Sequence, residues 1–142
     1  MQNLEQIIFY TLDKAIKTYR QFAQRRLNEA GLPITIDQWL VLKAITEKPE
    51  ISQLEIAEVV FKDAASVTRI IDLLVKKNYL QRTTHESDRR RFLLQITDAG
   101  EALMNEIAKV AAQNRKIALE HISEKQLEQT RKTLTTIIEN CQ

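Results

Sequence analysis

Over the first 27 residues apolar side chains return every three or four positions, at Ile8, Leu12, Ala15, Ile16, Tyr19, Phe22, Ala23 and Leu27. That spacing predicts one long amphipathic helix from Leu4 to about Leu27. Gly31 and Pro33 end it, because glycine accepts the left-handed C-terminal conformation and proline cannot continue a helix. Thr35 with Gln38 three residues on is the pattern of a capping box, and it opens a second helix carrying Trp39, Leu40, Leu42 and Ile45 and closed by Pro49. Ser52 and Glu55 repeat the pattern and start a short third helix, Gln53 to about Val60, with Leu54, Ala57 and Val60 assigned to its inner face. Asp63 is placed to cap a fourth helix, whose Val67, Ile70, Ile71 and Leu74 form a stripe that must pack on the third.

Only about three residues around Phe61 join the third and fourth helices, too few for them to lie side by side, so the pair suits a helix-turn-helix crossing. Asn78 stands at the expected end of the fourth helix, where asparagine is the best non-glycine choice for a left-handed residue. Leu80 to Thr84 and Phe92 to Ile96 are short β-prone runs separated by the polar segment His85-Glu86-Ser87-Asp88-Arg89-Arg90, which reads as a two-stranded hairpin. A hairpin of that size is marginal alone and must lean on the helices as a wing. Thr97 starts a fifth helix with Leu103, Ile107, Val110, Ala111 and Ile117 on one stripe. Ser123 starts a sixth with Leu127, Leu134, Ile137, Ile138 and Cys141 on another. These end helices carry more apolar surface than a small core covers, and a symmetric dimer built from both ends would bury it. The alternative is that they fold back on their own chain.

Composition narrows the class. With 142 residues, 44% hydrophobic and 28% charged, the chain can build one real core, and two Gly and two Pro leave few sharp turns. The fold class is therefore mostly α, with the hairpin making it α+β. Residues 1–31 and 101–142 are expected to be dimerisation helices, and residues 35–100 a winged helix-turn-helix lobe. No basic, apolar leader opens the chain and no run nears the roughly 18 apolar residues that span a bilayer, so a cytoplasmic protein with no membrane partner is expected. Cys141 is the only cysteine, which excludes an intrachain disulfide and a cysteine-rich zinc site. The net charge of +2 hides a polarity: residues 62–91 hold eight basic and four acidic side chains, a local excess of four positive charges. Such a concentration suits a phosphate-facing surface.

The chemistry that follows is recognition. On the fourth helix, Ala65, Arg69, Asp72 and Lys76 lie opposite the buried stripe, flanked by Ser66 and Thr68. A helix enters the major groove of duplex DNA with short or flexible leading side chains, and Ser66, Thr68 and Arg69 are of the types that hydrogen-bond base edges and phosphates there. Arg69 is the candidate for a guanine contact; its plainer alternative is an ion pair with Asp72. Arg89, Arg90 and Arg91 at the hairpin tip can reach an adjacent minor groove, and Asp88 can orient Arg90 by a charge-assisted hydrogen bond. Nothing points to an enzyme, a metal or a cofactor: His85 and His121 lack ligand spacing, and there is no glycine-rich phosphate loop or nucleophile elbow. A second reading stays open, a winged-helix module whose cationic hairpin docks an acidic protein partner.

The sequence resembles the MarR family of bacterial transcriptional regulators over almost its whole length. Its wing signature, Asp-x-Arg, an apolar strand and Leu-Thr-x-x-Gly, is matched by Asp88-Arg89-Arg90, Phe92-Leu93-Leu94 and Ile96-Thr97-Asp98-Ala99-Gly100. Ser66 to Leu74 resembles the family's recognition helix, and Leu54-Glu55-Ile56-Ala57 the helix before it. Two positions depart: Asn78 replaces the usual glycine, and Phe61 a small turn residue. The resemblance implies a homodimer on a palindromic operator, most often a repressor, frequently released by a small aromatic ligand in the crevice between dimerisation and DNA-binding parts. Some family members sense oxidants through a cysteine near the N-terminus, and this chain has none there.

Overall fold

The computed structural model describes residues 1–84, 87 and 92–142. After a 3-10 turn at Leu4–Gln6 come α1 (Ile8–Glu29), α2 (Ile36–Glu47), α3 (Gln53–Val60) and α4 (Ala64–Lys76). The strands β1 (Leu80–Thr84) and β2 (Phe92–Ile96) follow, then α5 (Asp98–Ala118) and α6 (Glu124–Cys141). The expected first helix is interrupted at its start: Ile7 is extended (φ −85°, ψ 113°), so α1 begins only at Ile8.

Caps set the helix phases. Thr35 Oγ1 accepts from the Gln38 amide and Gln38 Oε1 from the Thr35 amide, both at 3.1 Å, which completes the expected box. At α3 only half of it forms: Ser52 Oγ accepts from the Glu55 amide, while the Glu55 carboxylate turns to Lys48. This start fixes Leu54 outward, 72% exposed, against the expectation that it faces the core. Ile56 takes the inner place, with Ala57 and Val60 completing an i, i+1, i+4 face. Asp63 caps α4 and Thr97 caps α5, as their spacing predicts.

The core lies where α2, α3, α4 and the hairpin meet. Val41, Leu42, Ile56, Val67, Ile71, Leu74 and Leu80 are its fully buried members, and each such side chain contributes about 1.5–3 kcal/mol by leaving water. The hairpin is antiparallel in the register Leu80↔Ile96 to Thr84↔Phe92. Helix α5 returns along α1: the Arg26 guanidinium donates to the buried Asn114 Oδ1 and to Gln113 Oε1, both at 3.1 Å. No residue of α6 is buried.

The junction of α4, hairpin and α5 is drawn tight. Asn78 ends α4 at φ 66° and Tyr79 leads into β1. The Thr97 hydroxyl donates to the Asn78 carbonyl (2.6 Å) and accepts from the Gly100 amide (3.0 Å), and the Thr97 amide donates to the Tyr79 carbonyl. A Cβ on Gly100 would stand 2.3 Å from the Tyr79 oxygen, so only glycine fits. The Thr-x-x-Gly of the sequence is therefore a clasp.

Candidate nucleic-acid interface

Helix α4 buries Val67, Ile71 and Leu74 and leaves the opposite side free. At its first turn the Asp63 carboxylate accepts from both the amide (2.7 Å) and the hydroxyl (3.0 Å) of Ser66. The Ser66 amide, then its hydroxyl, hold this carboxyl below the usual carboxylate range, with Arg69 adding a weaker pull. The Ser66 oxygen in turn accepts from the Arg69 guanidinium at 3.1 Å. Ser66 is thus engaged within the helix, where it orients Arg69.

Thr68 is also committed, its hydroxyl donating to the Ala64 carbonyl at 3.0 Å. Gln53, the first residue of α3, stands beside it with Oε1 at 3.4 Å from the Thr68 oxygen. Of the three expected groove-facing residues, Arg69 keeps the most unspent donors, since a guanidinium has five N–H groups. The plainer alternative, an ion pair with Asp72, is not the arrangement found: Asp72 is held by Arg82 on β1. Sequence reasoning entered Arg82 only in a charge balance. Its role appears once the hairpin register brings it over α4.

A second ionic tie joins the lobe to α1. Asp37, at the start of α2, accepts from Arg20 of α1 at 2.5 Å and pairs with Lys62, in the turn before α4, at 3.1 Å. Partial burial works against the Asp37 charge, but the hydrogen bonds and charges of Lys62 and Arg20 outweigh it and lower its pKa. Spacing gave no sign of this triad, because its members are brought together from three elements. Phe61, next to Lys62, is left-handed (φ 58°, ψ 42°) and 92% exposed. The tight turn forms with phenylalanine in place of a small residue.

The wing arginines Arg89, Arg90 and Arg91, with Asp88 and His85, lie outside the described residues. His121 is left-handed at the turn between α5 and α6, and Cys141 is an exposed free thiol. Among the described residues no three His, Cys, Asp or Glu side chains gather as a metal site, and no helix is long and apolar enough to cross a membrane.

A three-helix core with a capped outer helix, followed by a two-stranded hairpin, defines a winged helix-turn-helix of the DNA-binding class. The MarR family model matches residues 34–92. The HTH-type transcriptional regulator SarZ of Staphylococcus epidermidis is 31% identical over 105 residues, which cover 73% of this chain and 67% of that protein. The chain belongs to the MarR family of transcriptional regulators. Among solved structures, a protein of unknown function from Listeria innocua is 30% identical, with a TM-score of 0.72 over 94% of this chain and 91% of that one. A mutant MarR from E. coli complexed with operator DNA is 25% identical, with a TM-score of 0.75 over 89% and 93% of the two chains.

Proposed function

We propose that the protein is a homodimeric repressor that binds a two-fold symmetric operator, with Ser66, Thr68 and Arg69 of α4 in the major groove and Arg89, Arg90 and Arg91 on the wing's groove and backbone. Asp88 orients Arg90. The observation that carries this reading is the arrangement around Arg69: the neighbouring acid is taken up by Arg82, and Ser66 steers the guanidinium from an exposed helix face. That the E. coli relative is complexed with operator DNA agrees with it.

The division proposed from the sequence, dimerisation helices at 1–31 and 101–142 around a lobe at 35–100, is supported by exposed apolar residues at both chain ends. Ile8, Phe9, Ile117, Ile122 and Ile138 are each between 44% and 58% exposed. A dimer seated across two half-sites would occlude a promoter, which favours repression, and the site of action would be cytoplasmic. A cavity of about 240 Å³ between α1, α2 and α5 is lined by Tyr19, Ala23, Trp39, Leu40 and Ile107, with Arg20 and Arg115. Its apolar walls with a few polar groups suit a small aromatic effector.

Selection from a random duplex library tests the reading: a palindromic motif with half-sites about one helical turn apart is expected. No enrichment would overturn it and leave a protein-docking module. Arg69→Ala should cost about 1–3 kcal/mol and relax specificity at one base pair, whereas Arg89→Ala should weaken all sequences more evenly. Aromatic acids added to the selected complex should release the DNA if the cavity is the effector site.

A further inference from the structure

Gln53 has no place in the recognition scheme above, yet its side chain reaches across from α3 to Thr68 on the outer face of α4. Its Oε1 lies 3.4 Å from Thr68 Oγ1. Thr68 has a single hydroxyl proton, and the Ala64 carbonyl, at 3.0 Å, is the nearer acceptor. With that proton spent, two oxygens would face each other. Turning the Gln53 amide by half a revolution replaces Oε1 with Nε2 and makes the contact an N–H···O bond, and oxygen and nitrogen of an amide are assigned by such networks. A primary amide carries two N–H groups. One then serves Thr68, and the other, with the carbonyl, points to solvent from an exposed position.

In helix-turn-helix docking the second helix enters the groove while the first crosses the sugar-phosphate backbone. We infer that Gln53 is a positioning residue for DNA binding: one amide N–H is donated to Thr68 Oγ1 and the other to a phosphate oxygen at the lip of the major groove. Backbone and α4 are thereby linked through one side chain. The inference rests on the DNA-binding reading above. Because Gln53 is neutral, its phosphate contact adds affinity without releasing a counterion through a charge of its own, unlike those of the arginines.

Full-length protein and the selected operator provide the test. Gln53→Ala should weaken operator binding about tenfold, the scale of a hydrogen bond to a charged acceptor, with the salt slope and the melting temperature unchanged. Gln53→Glu introduces an acid in the first helical turn, where it favours the helix, and should weaken binding further by setting a carboxylate against the phosphate. Replacing operator phosphates one at a time by neutral methylphosphonates should reveal one position per half-site at which wild type loses affinity and Gln53→Ala loses no more. Thr68→Val combined with Gln53→Ala should likewise be less than additive. Wild-type affinity in Gln53→Ala, or additive losses at every phosphate, would overturn the inference while leaving the operator reading intact. Loss of discrimination at a single base pair would overturn it in favour of a base contact. Failure of the wild type to select any operator would remove both.

Discussion

Gly100 shows how a single residue can hold a junction. Its missing side chain lets α5 start against the Tyr79 carbonyl, where a Cβ would stand 2.3 Å from the oxygen and 2.8 Å from Ile96 Cγ2. Gly100→Ala should therefore destabilise the fold by about 1–3 kcal/mol, the usual cost of overpacking, read as a lower urea midpoint. Phe61 is the opposite case. A bulky residue at φ 58° carries backbone strain of about 1–2 kcal/mol and, 92% exposed, gains almost no burial in return. Phe61→Asn should raise stability by about 0.5–1 kcal/mol, since asparagine tolerates the left-handed region without glycine's entropy. An unchanged or lower midpoint would overturn the strain argument at Phe61.

Between elements, the tie through Asp37 has a pH signature. Its carboxyl is lowered by Lys62 and Arg20 against partial burial, so the folded state binds its proton less readily than the unfolded chain does. The stability it contributes is complete above the ordinary value of 3.8 and is lost as pH falls below that through the depressed folded value. Asp37→Asn should cost about 0.5–1.5 kcal/mol at neutral pH, and the difference from wild type should shrink below pH ~4. A difference that stayed constant down to pH ~2 would exclude this origin. The elements themselves were legible in the sequence because their signals are local: Thr35, Asp63, Thr97 and Ser123 all cap, and both strands run as their composition predicts. The error at Leu54 arose from phase, since a helix of eight residues offers too few apolar positions to fix its inner face. At the interface, spacing found the outer face of α4 but could not pair Asp72 with Arg82 or Asp37 with Arg20 and Lys62, contacts that exist only after the hairpin and α1 have docked.

At the scale of the whole molecule, the apolar residues left open at the two ends argue for a second copy. Light scattering should give about twice the protomer mass of 16.5 kDa. Ile138→Asp, which places a charge on the open face of α6, should shift the protein toward one copy and cost operator affinity more than tenfold, because each half-site is then bound alone. A monomeric wild type that bound the full operator tightly would contradict this. If about 8 phosphates are neutralised per dimer, the logarithm of affinity should fall against that of salt with a slope near −7. The clasp formed by Thr97, Asn78 and Gly100 bears on how such a regulator diversifies. It fastens the foot of the wing to the exit of α4, and Arg82 braces β1 against Asp72. Strand pairing is thereby registered from the base upward, so residues inserted between β1 and β2 would not slide Leu80 off Ile96. In the docking proposed above, new groove preferences would then be sampled there while α4 stays where it was.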